Sequence, residues 1–318
     1  MPRYDTYATP RADLGQALYE YMISPDQYIG IQALPVTPVP RRAATYSKFQ
    51  REAMLRDRKI RRASGAGYAR DTGDYEDDTY TCLEYGFETL LDDGDRAHFA
   101  SDFDADADAA FLAEHVVLRE QEKRIAAALF NTTTWTGSTL TTDVSANPWS
   151  TTTTDVMTQL NNAKEKVRVL TGMWPDTLII NHQNFLYLKN NDDMIGRVVY
   201  SQRADDSNMG ASLAEILGFR RILVGGAIRN SAIEGQAITA TNIWSTLYAM
   251  VAVTCPQGPL TPTPGVGRTM IWSGDGAGNV QVEQYRDESR RSDVFRVRQY
   301  VAEEIIDASY AHLLTVNT

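Results

Sequence analysis

The best candidate for a metal site is a row of four aspartates at alternating positions: Asp102, Asp104, Asp106 and Asp108. This spacing resembles the start of a calcium-binding loop, where alternating carboxylates supply oxygen ligands. Such a loop also needs glycine at its sixth position and glutamate at its twelfth, and Ala107 and Ala113 occupy those positions. We therefore predict no calcium site, and interpret the acids as the N-terminal cap of a helix.

Histidine and cysteine, which carry much nucleophilic and metal chemistry, are scarce and scattered. The four histidines have no paired spacing, and neither Cys82 nor Cys255 has a CxxC partner. Gly274-x-Gly276-x-Gly278 does not match a dinucleotide-binding GxGxxG, and phosphate-loop, zinc-protease and nucleophile-elbow motifs are missing from the sequence. We predict no metal and no cofactor, and an enzyme is a weaker hypothesis than a structural or binding protein.

Charge is strongly segregated along the 318 residues, although the formal net charge is only −10. Residues 41–70 contain ten basic and two acidic residues, a net of +8. Residues 71–122 contain seventeen acidic and two basic residues, a net of −15. The composition, 43% hydrophobic, supports a sizeable core. The longest uncharged apolar run, 247–255, is far shorter than the ~20 residues of a membrane-spanning helix.

Three interpretations of the charge reversal are open. The blocks could be two solvated faces, a nucleic-acid arm, or a contact in which one subunit's basic segment lies on its neighbour's acidic one. The acidic block favours the last, because it would compete with phosphates for the arginines. The candidate inter-subunit contact residues are Arg51, Arg56, Arg58, Lys59, Arg61, Arg62, Asp74, Glu76, Asp77 and Asp78.

The first 80 residues contain little that could form a core. Residues 1–40 combine one helical stretch near 12–23 with prolines at 35, 38 and 40, which favour extended backbone and exclude a central strand. We expect this arm to be ordered only by lying across another surface. Residues 41–80 predict a two-stranded excursion with a glycine-bearing tip at 64–67 and a short helix near 48–58.

The remaining elements are predicted by hydrophobic periodicity. Phe111, Leu118, Ile125 and Leu129 recur near helical period, which indicates a long helix over 104–131. Residues 155–255 alternate between helical and strand patterns, as in an α/β lobe. The tail is β-rich, and the strands that flank the glycine-rich segment 273–279 are expected to form a hairpin.

This order of parts resembles the major capsid proteins of tailed bacteriophages, whose fold is called the HK ninety-seven type. Three passages carry the resemblance: residues 174–190 as strand then helix, residues 213–225 as helix, glycine and strand, and residues 119–126 as part of a spine helix. The resemblance implies an α+β phage major capsid fold. Its parts would be an N-terminal arm (1–40), an extended loop (41–80), a peripheral domain (81–154 and 266–318) with spine helix 104–131, and an α/β axial domain (155–265).

The same resemblance implies a structural protein that assembles with itself through pentamers and hexamers into an icosahedral shell around double-stranded DNA. The implied partners are a separate scaffolding protein, a portal and a possible decoration protein, with DNA packaged without sequence-specific binding and no membrane. The expected location is the virion capsid, assembled in the host cytoplasm. The alternatives are an encapsulin-like nanocompartment shell and a nucleic-acid-binding protein that uses residues 41–70.

Overall fold

The computed structural model describes residues 9–10, 27–58, 60–99, 104–200, 209–258, 263–275 and 279–317. Its α-helices are α1 (Gly30–Ala33), α2 (Arg51–Leu55), α3 (Asp93–Phe99), α4 (Ala105–Leu129), α5 (Val156–Thr171), α6 (His182–Lys189), α7 (Asp192–Tyr200) and α8 (Met209–Leu217). The expected helix near 12–23 lies outside the described residues.

The strands in the first half of the chain are β1 (Thr9–Pro10), β2 (Val36–Val39), β3 (Ala43–Phe49), β4 (Tyr75–Thr81), β5 (Leu83–Asp92) and β6 (Thr141–Asp143). Those in the second half are β7 (Thr177–Asn181), β8 (Arg221–Gly225), β9 (Ile228–Asn230), β10 (Ala240–Asn242), β11 (Tyr248–Ala252), β12 (Gly267–Trp272), β13 (Gln281–Asp287), β14 (Ser292–Ile305) and β15 (Ala311–Thr315).

The first sheet is built around β14. Strand β5 pairs with one edge of β14 over ten residues, and β13 and then β12 pair with its other edge, all antiparallel. The predicted hairpin of the two strands around residues 273–279 is therefore wrong. Strands β12 and β13 lie one after the other along β14 because its fourteen residues offer an edge long enough for both.

The second sheet has the order β6-β15-β11-β7-β8 and mixes parallel and antiparallel pairs. Its central strands are fully buried, as expected for strands with helices against them. Its strands β6 and β15 come from outside the lobe expected at 155–255. Strand β6 is only three residues long and rich in threonine, so periodicity does not identify it, whereas β15 lies in the tail that was expected to be β-rich but to belong to the peripheral domain.

The spine helix α4 connects the two sheets. It begins after Asp104, whose carboxylate accepts the backbone N–H groups of Asp106 and Ala107. Its first half packs alanines such as Ala110 and Ala113 against Phe295 and Val297 of β14. Its last turns pack Ile125 and Leu129 into a core with buried residues of β7 and β11.

The segment before the excursion is more integrated than an arm. Ile29, Ala33 and Leu34 are buried in the core at the end of α4, and β2 forms a parallel edge strand on β12. Pro38 is compatible with this position, because a proline lacks only the outward-facing N–H of an edge strand. Residues 29–39 are therefore ordered by packing within their own subunit, whereas the sequence led us to expect an arm that is ordered by lying across another surface.

No helix in the described part of the chain is both long and apolar enough to cross a lipid bilayer.

Candidate assembly surfaces

The expected excursion is an ordered antiparallel hairpin. Strands β3 and β4 pair from Ala43↔Thr81 to Phe49↔Tyr75, and helix α2 follows β3 directly. We call residues 43–81 the hairpin. Between α2 and β4 the described backbone has no regular secondary structure, and nearly every side chain there is exposed. The hairpin therefore has a folded stem and an open tip.

Several charged residues of the hairpin form ion pairs with each other. Lys48 Nζ lies 2.8 Å from Asp78 Oδ2, Arg58 lies 2.5 Å from Asp71, and Arg56 lies 3.9 Å from Asp74. Hydrogen bonding to Arg58 lowers the pKa of Asp71, and hydrogen bonding to Lys48 lowers that of Asp78. Part of the charge reversal is thus neutralised inside one chain.

The remaining candidate residues have different surroundings. Asp77 accepts the hydroxyl of Ser47 at 2.6 Å, whereas Lys59 lies outside the described residues. Among the residues that the structure describes, Arg61, Arg62 and Glu76 form no ion pair. Arg62 stacks over the ring of Tyr68, 4.7 Å from its centroid. The unneutralised positive charge is therefore concentrated at the tip.

The hairpin also exposes apolar side chains. Met54, Ile60 and Tyr68 are 74–86% exposed, and Leu55 and Tyr75 are also largely exposed. Side chains of this kind are ordinary when they occur singly, but a group on one extension marks an interaction surface. The tip therefore offers arginines that have no ion-pair partner among the described residues, together with exposed apolar side chains.

The outer end of the stem, where β3 meets α2, contacts the turn after β14. Lys48 Nζ donates to the carbonyl of Ile306 at 3.0 Å, and Arg51 lies 3.7 Å from Asp307. A polar cleft of about 400 Å³ lies between them, lined also by Gln50 and Glu76. These contacts fix the angle at which the stem leaves the body.

The first sheet has an uncovered edge and a charged face. On β5, which pairs only with β14 among the described strands, Leu83, Phe87 and Leu90 are 41–51% exposed. On the face opposite α4, acids and arginines alternate across three strands: Glu88, Arg296 and Glu283 lie in one row. An unpaired edge beside such a face is a site for contact with another chain.

A second exposed ribbon projects from the α/β lobe. Strands β9 and β10 pair with each other, and Gly235 adopts a left-handed φ of +85° in the turn between them. Ile228, Ile233 and Ile238 are 57–82% exposed. Sequence analysis missed this ribbon, although isoleucines five residues apart around a glycine were its signal.

The candidates for chemistry have structural roles. Asp104 caps α4, Asp106 pairs with Arg96 at 2.7 Å, and Asp102 lies outside the described residues. Within those residues, no cluster of His, Cys, Asp and Glu could hold a metal ion. Cys82 and Cys255 are both buried thiols, and burial raises the pKa of each.

Glu122 is a charged residue of α4 that lies inside the fold. The residue is 3% exposed and accepts the N–H groups of Ile29, Gly30 and Trp244. Burial raises the pKa of Glu122, and the three donors offset part of that rise. Its partners come from distant parts of the chain, so its neighbours in sequence give no sign of them.

Comparison with known proteins relates this architecture to phage shells. The major capsid protein of Burkholderia phage BcepMu is 22% identical over 285 residues, covering 85% of this chain and 87% of its own. A phage-related protein from Bordetella bronchiseptica aligns with a TM-score of 0.70 at 20% identity, over 97% of both chains. The capsid protein of cyanophage P-SCSP1u aligns with a TM-score of 0.61 at 14% identity, over 89% of this chain and 86% of its own. The chain has the phage major capsid fold.

The major capsid fold is shared with some cellular shells. The SrpI encapsulin of Synechococcus elongatus aligns at a TM-score of 0.52 and 9% identity, over 93% of this chain and 89% of its own. No family model matches the sequence. The resemblance noted from the order of parts is confirmed, and so is the α+β capsid fold class.

Proposed function

We propose that this protein is the major capsid protein of a double-stranded DNA phage and assembles through pentamers and hexamers into an icosahedral shell. One observation carries the proposal: in a chain with the major capsid fold, the hairpin tip has exposed arginines and apolar side chains that its own chain leaves uncovered. Such a surface is expected where a subunit reaches over its neighbour.

The proposed domain division follows the capsid fold with one adjustment. The arm (1–40), the extended loop (41–80), the peripheral domain with the spine helix, and the axial domain remain as assigned from the sequence. Because β6 and β15 complete the second sheet, we extend the axial domain from 155–265 to include residues 141–143 and 311–315.

The hairpin is proposed to contact a neighbouring subunit mainly through its tip. Arg58 already has Asp71 as a partner at 2.5 Å, whereas Arg61 and Arg62 form no ion pair among the described residues, so we take these two as cations that contact another chain. We place them on a neighbour's acidic strand β5, where Glu84 is exposed and Leu83 and Phe87 offer apolar area. Each such contact is weak, and its repetition around a closed shell multiplies the affinity.

The proposal includes further partners. A separate scaffolding protein would direct closure, and a portal and a possible decoration protein would complete the particle. Packaged DNA would be held by the geometry of the shell, since a subunit with net charge −10 has little general attraction for phosphates. Assembly would take place in the host cytoplasm, without a membrane, cofactor or catalytic step.

The encapsulin-like alternative is favoured only by the shared fold. It differs in cargo: a phage shell protects DNA from nuclease, whereas a nanocompartment encloses protein. The nucleic-acid-binding alternative is disfavoured by the stem, because Lys48, Arg56 and Arg58 already have carboxylate partners in their own chain.

The test replaces Arg61 and Arg62 by glutamate and follows assembly by sedimentation velocity. We expect the wild-type chain to form fast-sedimenting assemblies, and the double variant to remain as subunits or capsomers because like charges now face β5. The matched control exchanges a pair, Arg58→Asp with Asp71→Arg, and should assemble normally because it conserves the ion pair. Normal assembly of Arg61→Glu/Arg62→Glu would refute the tip contact, and failure of the wild-type chain to assemble both alone and with its scaffolding protein would refute the shell function.

A further inference from the structure

The segment Ile29–Val39, which we call the strap, contacts the spine helix and both sheets before it enters the hairpin. Ile29, Ala33 and Leu34 are at most 2% exposed in the core at the end of α4. The remainder is β2, paired in parallel with β12 of the first sheet. The strap therefore joins the buried core to the exposed hairpin.

One carboxylate fixes the beginning of the strap. Glu122 Oε1 accepts the N–H of Ile29 at 2.9 Å and the indole N–H of Trp244 at 2.6 Å, and Oε2 accepts the N–H of Gly30 at 2.8 Å. Charge-assisted bonds of this kind are about twice as strong as neutral ones. A Cβ on residue 30 would lie 2.5 Å from Glu122 Oε2, so glycine is needed for this close approach.

Side chains of other elements donate hydrogen bonds to backbone carbonyls along the strap. Arg221 donates to the carbonyl of Gln32 at 2.8 Å, and the hydroxyl of Thr269 donates to the carbonyl of Leu34 at 2.8 Å. At the far end, Ser273 donates to the carbonyl of Val39 at 3.0 Å. The strap can therefore move along β12 only by breaking several bonds or by changing register.

The far end of the strap is the root of the hairpin. Val39 packs in one buried cluster with Tyr80 and Cys82, where the returning strand enters the first sheet. The carbonyl of Arg42 accepts the N–H of Cys82 at 2.8 Å, which joins the two sides of the root. A displacement of the strap would shift this cluster.

We propose that the strap couples the spine helix to the root of the hairpin, with Glu122 as its fixed point. The strap is one continuous element held at both ends, by Glu122 at its start and by the hairpin root at its far end, so a shift at one end is expected to reach the other. It is a property of the folded subunit and goes beyond the assembly function.

The test compares Glu122→Gln with wild type by hydrogen–deuterium exchange on the full-length subunit before assembly. The amide keeps the shape but loses the charge and presents its own N–H₂ to the donors. We expect exchange at Ile29 and Gly30 to become about tenfold faster, as for the loss of a hydrogen bond to a charged group. Peptides covering Val36–Phe49 and Tyr75–Cys82 should accelerate at least about threefold, since their packing depends on the strap.

The matched control is Glu120→Gln on the same helix, where the carboxylate pairs only with Lys123 at the surface and no region should change. Faster hydrogen exchange in the strap without faster exchange at the hairpin root would overturn the coupling. Unchanged exchange rates in both regions would overturn it as well. If Glu122→Gln accelerates every peptide through unfolding, Trp244→Phe removes a single donor and is measured in its place. Acceleration confined to the strap in that variant would equally overturn the proposal.

Discussion

His312 lies on β15 with no exposed surface, inside a hydrogen-bond network that suits only the neutral ring. Its Nδ1 lies 3.0 Å from the carbonyl of Thr139, which can only accept, so Nδ1 carries the proton. Its Nε2 then accepts from the hydroxyl of Thr142 at 2.8 Å, and that oxygen in turn accepts from Lys166 at 2.6 Å. Burial and the nearby Lys166 lower the pKa of His312 to about 4.

This pKa predicts a loss of stability in mild acid. Because the folded-state pKa lies below the unfolded value of 6.5, the unfolded chain binds more protons between pH 6.5 and pH 4. The free energy of unfolding should therefore be fully retained above pH 6.5 and fall, by up to about 3 kcal/mol, as the pH drops to 4.

Urea unfolding of the isolated subunit at pH 7.5 and pH 4.5 measures this effect. His312→Gln should reduce the difference between the two pH values, whereas the control His182→Gln, at an exposed position, should leave it unchanged. An identical pH dependence in wild type and His312→Gln would show that the histidine is not responsible.

At residue scale, the sequence predicts where charged residues are concentrated but not which groups they pair with. The basic and acidic blocks contain Lys48, Arg58 and Asp78, but composition does not indicate which of these residues pair with each other. The ion pair between Lys48 and Asp78 across the stem depends on the register of β3 on β4, which composition does not determine. The burial of Glu122 cannot be seen in the sequence for the same reason, since the N–H groups that it binds lie more than ninety residues away.

At the scale of elements, the spine helix shows how small residues set a packing distance. Ala110 and Ala113 are fully buried where the helix crosses β14, so α4 lies close to the sheet. Its buried side chains there are mostly alanines; Val117 follows near the middle of the helix, and Ile125 and Leu129 enter the core near its end.

Ala110→Leu should therefore destabilise the fold by overpacking. The added carbons have no space between α4 and Phe295, and we expect a loss of about 1–3 kcal/mol. Chemical denaturation measures the change, with Leu112→Ala as the control on the same helix, because Leu112 is 52% exposed and should change stability little. Equal stability of Ala110→Leu and wild type would mean that the helix–sheet contact is looser than its burial indicates.

Elements defined by local signals were predictable, and elements defined by remote pairing were not. The long helix expected at 104–131 runs from Ala105 to Leu129, because capping and periodicity are local properties. The β12–β13 hairpin failed because both strands found a longer partner in β14. Strand β6 was missed because three residues carry almost no pattern, and β15, in the tail expected to be β-rich, was assigned to the peripheral domain although it pairs with β11.

At the scale of the whole molecule, several uncovered surfaces accompany a well-packed core. The hairpin tip, the β5 edge and the β9–β10 ribbon all expose apolar side chains, while three tryptophans, Trp135, Trp149 and Trp244, are fully buried. A well-packed subunit with several separate uncovered surfaces fits a protein that contacts several neighbours at once.

The most direct test of the account is negative-stain electron microscopy of the purified full-length protein, alone and with its candidate scaffolding protein. The account predicts uniform closed shells, or pentamers and hexamers that close when the scaffolding protein is added. A monodisperse monomer or dimer under every salt condition, with and without the partner, would contradict it.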